Sequence, residues 1–180
     1  MTERYKGKYR IPSIRLADYD YGSNGLYFVT ICTRERQPFM GDIVMVDQEA
    51  VINPSEVGQI AIDYWLSIPT FHPYVALDAF QLMPDHLHAI LSICKPDHML
   101  TEWQPNQFGP QRQNLASILR GYKSAVTRQA AAQHLAFGWQ PRFYERVIRN
   151  QNELDRIRTY IENNPNKWNQ ERDNPENLYM

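Results

Sequence analysis

Two cysteines in 180 residues, Cys32 and Cys94, are too few for a disulfide framework or a cysteine-based metal cluster. Both sit in strand-like apolar runs and read as small buried side chains. No apolar run approaches the roughly 18 residues that a bilayer span requires. The charged start, Met1-Thr-Glu-Arg-Tyr-Lys6, lacks the apolar stretch of a secretory signal, so a cytoplasmic protein is expected, with no membrane partner. A net excess of either charge is lacking, with 19 Lys/Arg against 20 Asp/Glu. The formal net charge is -1 and the pI is near 6.5, which argues against indiscriminate nucleic-acid binding.

What is present is an ordinary globular composition, 43% hydrophobic and 22% charged. It predicts one domain over residues 1–180, with a basic N-terminal arm at about 1–20 and a short tail after about 168. The small net charge conceals an uneven distribution. Residues 1–15 carry five Lys/Arg against one acid, and residues 16–110 carry three against twelve. Residues 111–149 hold seven cations against Glu145 alone, and residues 150–180 come to -2. Two separate basic segments can converge on one groove for a polyanion, although solvated helix faces produce the same pattern.

The hydrophobic periods change in a readable order. Residues 26–33, rich in aromatic and β-branched types, predict a strand. Asn53-Pro-Ser-Glu56 resembles an N-cap followed by proline at the first helical position, and Val57, Ile60, Ala61, Tyr64, Trp65 and Ile68 keep helical spacing. Residues 75–83 predict a second strand, turning at Pro84-Asp85 into a third. Residues 95–113, with three prolines, read as a loop. A helix is expected from about Asn114 to Phe137, stopped by Gly138. A fourth strand follows over 143–148, then a last helix from a cap at Asn150 to about Asn163. This order predicts an α+β sandwich: a four-stranded, mostly antiparallel sheet with helices on one face and an appended C-terminal helix.

Within the third strand, His86-Leu87-His88 is the most informative feature. Alternation sends His86, His88, Ile90 and Ser92 to one face and Leu87, Ala89, Leu91 and Ile93 to the other. The second face is wholly apolar and belongs to a core. Two imidazoles side by side on the first face need a donor, an acceptor or a metal if buried, and otherwise mark a half-exposed strand.

On the last helix, Tyr160 and Asn164 are four residues apart and share a stripe, with Lys167 close to it. Leu154, Ile157 and Ile161 form the neighbouring apolar stripe, which places Tyr160 at the border between packed and wet faces. Pro165 disfavours helix at Asn164, so the helix is expected to end or kink there. Arg120, Lys123 and Arg128 on the middle helix, with Lys6, Lys8 and Arg10 beside Tyr5 and Tyr9, mix cations with rings as a nucleic-acid surface does. Trp139 and Phe143 read as core anchors.

Met83-Pro-Asp85 with His86-Leu-His88, then Trp139-Gln-Pro-Arg-Phe-Tyr-Glu145, then Tyr160-Ile-Glu-Asn-Asn-Pro165 together resemble the REP-associated tyrosine transposases. These are single-tyrosine relatives of bacterial insertion-sequence transposases with a histidine, hydrophobe, histidine motif. The match runs from about Tyr9 to Trp168. The resemblance implies a ferredoxin-like fold, cleavage and rejoining of single-stranded DNA, and binding of hairpins formed by short palindromic repeats. By matching position it implies Tyr160 as nucleophile, leaving a 5′-phosphotyrosine, and His86, His88 and Asn164 as ligands of Mg²⁺ or Mn²⁺. Lys167, from its spacing, is a candidate for activating the tyrosine. Tyr144 is a rival nucleophile without an Asn four residues on. The acidic stretch at 16–110 and the long proline-rich loop depart from the family's pattern. Two further readings stay open: a repeat-hairpin-binding protein without catalysis, and a metal-dependent hydrolase that uses the histidines alone. Monomer and homodimer fit the spacing equally.

Overall fold

The computed structural model describes residues 19–100 and 112–171. Lys6, Lys8, Arg10 and most of the proline-rich loop lie outside the described residues. The elements run β1 (Gly25–Cys32), β2 (Gly41–Val46), β3 (Glu49–Pro54), α1 (Glu56–Leu66), α2 (Ile68–Phe71), β4 (Val75–Leu82), β5 (His86–Ile93), α3 (Leu115–Ala132), β6 (Tyr144–Ile148) and α4 (Gln151–Glu171).

Four strands form one sheet in the order β4-β5-β1-β6, every neighbouring pair antiparallel, which is the ferredoxin-like arrangement. Period-2 alternation divides its side chains between two cores. On one face Tyr27, Val29 and Ile31 of β1 and Leu87, Ala89, Leu91 and Ile93 of β5 pack beneath α1 and α3. There Trp65 of α1 meets Tyr122 of α3 edge-on at 5.3 Å, and the Tyr122 hydroxyl donates to the Ala61 carbonyl at 3.1 Å. On the other face Phe28, Ile90 and Ile148 meet Leu154, Ile157 and Ile161 of α4 in a smaller core. The helices therefore cover both faces, α1 and α3 on one and α4 on the other.

Several sequence expectations are corrected. A separate hairpin, β2–β3, lies between β1 and α1. Its turn at Asp47 and Gln48 takes the left-handed backbone conformation at both residues (φ 48° and 70°) without the glycine that signals such turns. Asn53 and Pro54 end β3, and the N-cap of α1 is Ser55, whose hydroxyl accepts from the Gly58 N–H at 3.1 Å. The next residues of α1 run so close to the preceding loop that a Cβ on Gly58 would overlap the Met40 carbonyl oxygen. Cys94 is exposed, and both cysteines are free.

Helix α3 ends at Ala132, short of Gly138, in a Schellman motif. The Leu135 N–H reaches the Ala130 carbonyl at 2.9 Å and the His134 N–H reaches Ala131 at 3.1 Å, with His134 left-handed at φ 58°. A histidine occupies the position that normally takes glycine. Replacing His134 with Gly is therefore expected to stabilise the fold by about 0.5–1 kcal/mol, read as a higher denaturation midpoint at unchanged slope.

Candidate active site

The face of β5 turned toward α4 carries His88, fully buried, and His86, 3% exposed. Antiparallel register puts Thr30 of β1 directly opposite His88, and the Thr30 hydroxyl lies 2.8 Å from His88 Nδ1. His88 Nε2 lies 3.2 Å from the Tyr160 hydroxyl, so the ring bridges Thr30 and Tyr160. His86 Nδ1 lies 2.6 Å from the Asp85 carboxylate, which can only accept, so this nitrogen carries the proton. His86 Nε2 is then a bare lone pair, buried and without a hydrogen-bond partner.

Burial lowers the pKa of both rings. For His86 the Asp85 carboxylate opposes that effect, the Arg36 charge adds to it, and Asn164 raises it slightly from nearby. For His88 the push is well below the ordinary range, from burial first and then from the His86 and Arg36 charges. Both imidazoles are consequently neutral near pH 7, with lone pairs available.

Helix α4 brings the tyrosine to this strand. Its first turn is capped by Asn150, whose side chain accepts from the Glu153 N–H at 2.9 Å. Leu154, Ile157, Ile161, Asn164 and Pro165 form its buried stripe, at helical spacing. Tyr160 stands half-buried beside that stripe, edge-on to Phe28 at 6.3 Å and to His88 at 5.1 Å. The expected break at Pro165 does not occur, and α4 continues to Glu171. The helix forgoes one backbone hydrogen bond there and keeps Asn164, 3% exposed, on the packed face beside His86. One turn further on, Trp168 approaches the His86 ring at 6.1 Å.

A two-pronged ion pair pins α4 to β4. Arg158 donates to Asp78 at 2.8 and 2.6 Å, where a bulge in β4 interrupts the ladder between Leu77 and Phe80. Hydrogen bonding from Arg158 is the main cause of a lowered Asp78 pKa. A depressed carboxylate pKa stabilises the folded state above the ordinary Asp range and loses that contribution as pH falls through it. Asp78→Asn is therefore expected to flatten the drop in stability between about pH 5 and 3, leaving the neutral-pH value modestly reduced.

The structure thus brings together His86, His88, Tyr160 and Asn164. It sets the middle-helix cations apart, because α3 packs on the opposite face of the sheet. Arg120 and Arg128 are exposed there, and the Lys123 amine donates to the Gln140 and Arg142 carbonyls at 2.7 and 2.9 Å. Lys167 is exposed on α4. Tyr144 lies on the same face of the sheet as His88 and Tyr160, edge-on to Phe28 at 6.3 Å. Trp139 and Phe143 pack against the larger core, as anchors should.

A cavity of about 480 Å³ lies at the sheet edge between β6 and the start of α4, lined by Tyr21, Tyr144, Arg146, Arg149, Glu153 and Arg156 among others. The two Glu153 oxygens are taken by the Arg146 side chain and the Arg149 backbone N–H, at 2.6 and 3.0 Å. The Arg149 and Arg156 side chains remain exposed and form no ion pair among the described residues. Both cations are evident in the sequence, but only folding brings them to one cavity.

Whether a divalent cation suits the four-residue cluster is decided by the donors. No group of three or more His, Cys, Asp or Glu that could hold a metal is found among the described residues, and beside the two histidines Asn164 offers an amide oxygen. His86 Nε2, buried and unpartnered, is what a metal-ligating imidazole presents, and Asp85 on its other nitrogen is the usual support for one. Two imidazoles and an amide oxygen fit, and they suit Mn²⁺ at least as readily as Mg²⁺.

No protein-family model matches the chain. An uncharacterised protein of Haemophilus influenzae is 36% identical over 180 residues, spanning 95% of this chain and 97% of that relative. Among solved structures, a REP-associated tyrosine transposase bound to a REP hairpin is similar at a TM-score of 0.54 and 20% identity, over 96% of this chain and 88% of that one. That likeness establishes the shared fold.

Proposed function

We propose that this chain, which belongs to one family with the Haemophilus influenzae protein and has the fold of a REP-associated tyrosine transposase, is a tyrosine nuclease and strand transferase for single-stranded DNA bearing hairpins. The observation that carries this reading is the Tyr160 hydroxyl, 3.2 Å from a nitrogen of buried, neutral His88, beside a second histidine with a bare nitrogen.

In the proposed reaction the Tyr160 oxygen attacks the scissile phosphorus. The new Tyr–O–P bond replaces the P–O3′ bond, the phenolic proton is released to solvent, and the departing 3′-oxygen takes up a proton to become a free hydroxyl. Retaining the phosphoester in covalent form lets another 3′-hydroxyl reverse the step without an external energy source. His86, His88 and Asn164 would hold a divalent cation, whose contribution when bound is to neutralise charge on the phosphate oxygens. The His88 Nε2 that contacts the Tyr160 hydroxyl in the resting protein would turn to the cation when one is bound. The partner is DNA, hairpins of palindromic repeats by analogy with the solved transposase's ligand.

The experiment is incubation with 5′- and 3′-labelled hairpin DNA and Mn²⁺ or Mg²⁺, followed by denaturing electrophoresis. A denaturant-resistant adduct carrying the 3′ fragment supports the reading. Cleavage without an adduct points to a hydrolase that needs only the histidines, and binding without cleavage to a recognition module.

The DNA strand is expected to run along the cavity between β6 and α4, a reading supported by Arg156 lying one helical turn before Tyr160. The Arg149→Ala/Arg156→Ala double variant is expected to weaken hairpin-DNA binding about tenfold. It should also make the slope of log K against log salt shallower by about 1–2, measured by fluorescence anisotropy.

A further inference from the structure

The loop between β1 and β2 contains two consecutive non-glycine residues in the left-handed conformation, Glu35 at φ 54° and Arg36 at φ 55°. Such a pair costs energy that the rest of the structure must offset, and backbone outliers of this kind cluster where a side chain has to be aimed. Here the aimed group is the Arg36 side chain, whose Nε donates to Asp85 Oδ2 at 2.7 Å. The other Asp85 oxygen accepts from His86 Nδ1 at 2.6 Å. Asp85 is 5% exposed, so its carboxylate has little water to turn toward.

The same loop is bonded to the turn before β5 at both ends. The Thr33 N–H donates to the Asp85 carbonyl at 2.9 Å, and the Met40 N–H donates to the Pro84 carbonyl at 2.9 Å. Residues 33–40 therefore bracket Pro84-Asp85, with Arg36 between the two attachment points. An ordinary surface ion pair has neither the bracket nor the strained backbone.

We propose that Arg36 is a positioning residue for His86: it holds the Asp85 carboxylate so that His86 is fixed as the Nδ1-protonated tautomer, with its bare Nε2 toward Asn164 on the tyrosine helix. The inference rests on the functional reading only in giving that lone pair a task. The tautomer itself is a property of the resting protein. Free histidine favours protonation at Nε2, so the chain Arg36–Asp85–His86 selects the less common form and leaves the nitrogen that faces α4 free to bind a cation.

The test is the ¹⁵N spectrum of the histidine rings in metal-free protein, compared with Arg36→Ala, Arg36→Lys and Asp85→Asn, together with calorimetric Mn²⁺ titration of each. Wild type is expected to show His86 protonated at Nδ1. Arg36→Ala should give a mixture of tautomers and ten- to hundredfold weaker Mn²⁺ binding. Arg36→Lys should restore part of both, because an ammonium can still reach the carboxylate. Asp85→Asn keeps the shape and guards against a variant that fails to fold. It should lose the short charged contact, read as an upfield shift of the Nδ1 proton. A wild-type ring protonated at Nε2 overturns the proposal, as does an Arg36→Ala variant with unchanged tautomer and affinity. Neither result depends on whether the protein cleaves DNA, so failure here is distinguishable from failure of the adduct assay.

Discussion

Tyr160→Phe is expected to abolish the covalent protein–DNA adduct, lowering its rate of formation by at least about 10³-fold, because the variant lacks the only oxygen that can form that bond from this position. The ring itself stays useful. Its edge-on contacts with Phe28 and His88 do not involve the hydroxyl, so the fold should survive. Loss of the hydrogen bond to His88 should cost about 1 kcal/mol of stability. The comparison is therefore clean: an unfolding curve close to wild type, no adduct, and DNA binding retained. Tyr144→Phe is the control. It removes a hydroxyl from the same face and should leave the adduct intact. An adduct in Tyr160→Phe that disappears in Tyr144→Phe would exchange the roles of the two tyrosines.

Phe28→Ala is expected to have the largest effect on stability, about 3–5 kcal/mol. Phe28 is fully buried at the centre of the smaller core. It stacks on His88 at 5.5 Å and meets Tyr144 and Tyr160 edge-on at 6.3 Å each. Removing the ring leaves a cavity under α4 and withdraws three ring contacts, each worth about 0.5–1.5 kcal/mol beyond its buried area. The damage should be lopsided. The larger core beneath α1 and α3 does not include Phe28, so amide exchange should accelerate in α4 well before it does in α3. Adduct formation should fall as well, with the chemical groups all present but the tyrosine no longer held against His88. Phe28→Leu, which fills most of the space, should recover much of the stability. Equal acceleration of exchange in both helices would show that the two cores unfold as one unit.

The alternation at 86–93 was legible because a strand obeys a two-residue period regardless of context, and one face of this strand is wholly apolar. The ferredoxin-like sheet followed from the order of elements together with the three motifs. The hairpin β2–β3 was not legible: its turn residues, Asp47 and Gln48, take left-handed conformations that neither side chain advertises. The continuation of α4 past Pro165 was missed because a local rule, the cost of proline inside a helix, is overridden by packing at Asn164, Pro165 and Trp168. Asp85 stands next to His86 and could have been weighed as its support. Arg36 could not, since it lies 49 positions from the carboxylate it clamps, and only the folded loop brings them together. Thr30 is of the same kind, visible once register pairs it with His88.

The contact between Tyr160 and His88 joins a strand and a helix of one chain. Each molecule therefore contains a complete tyrosine–histidine pair in itself, and dilution does not take that pair apart.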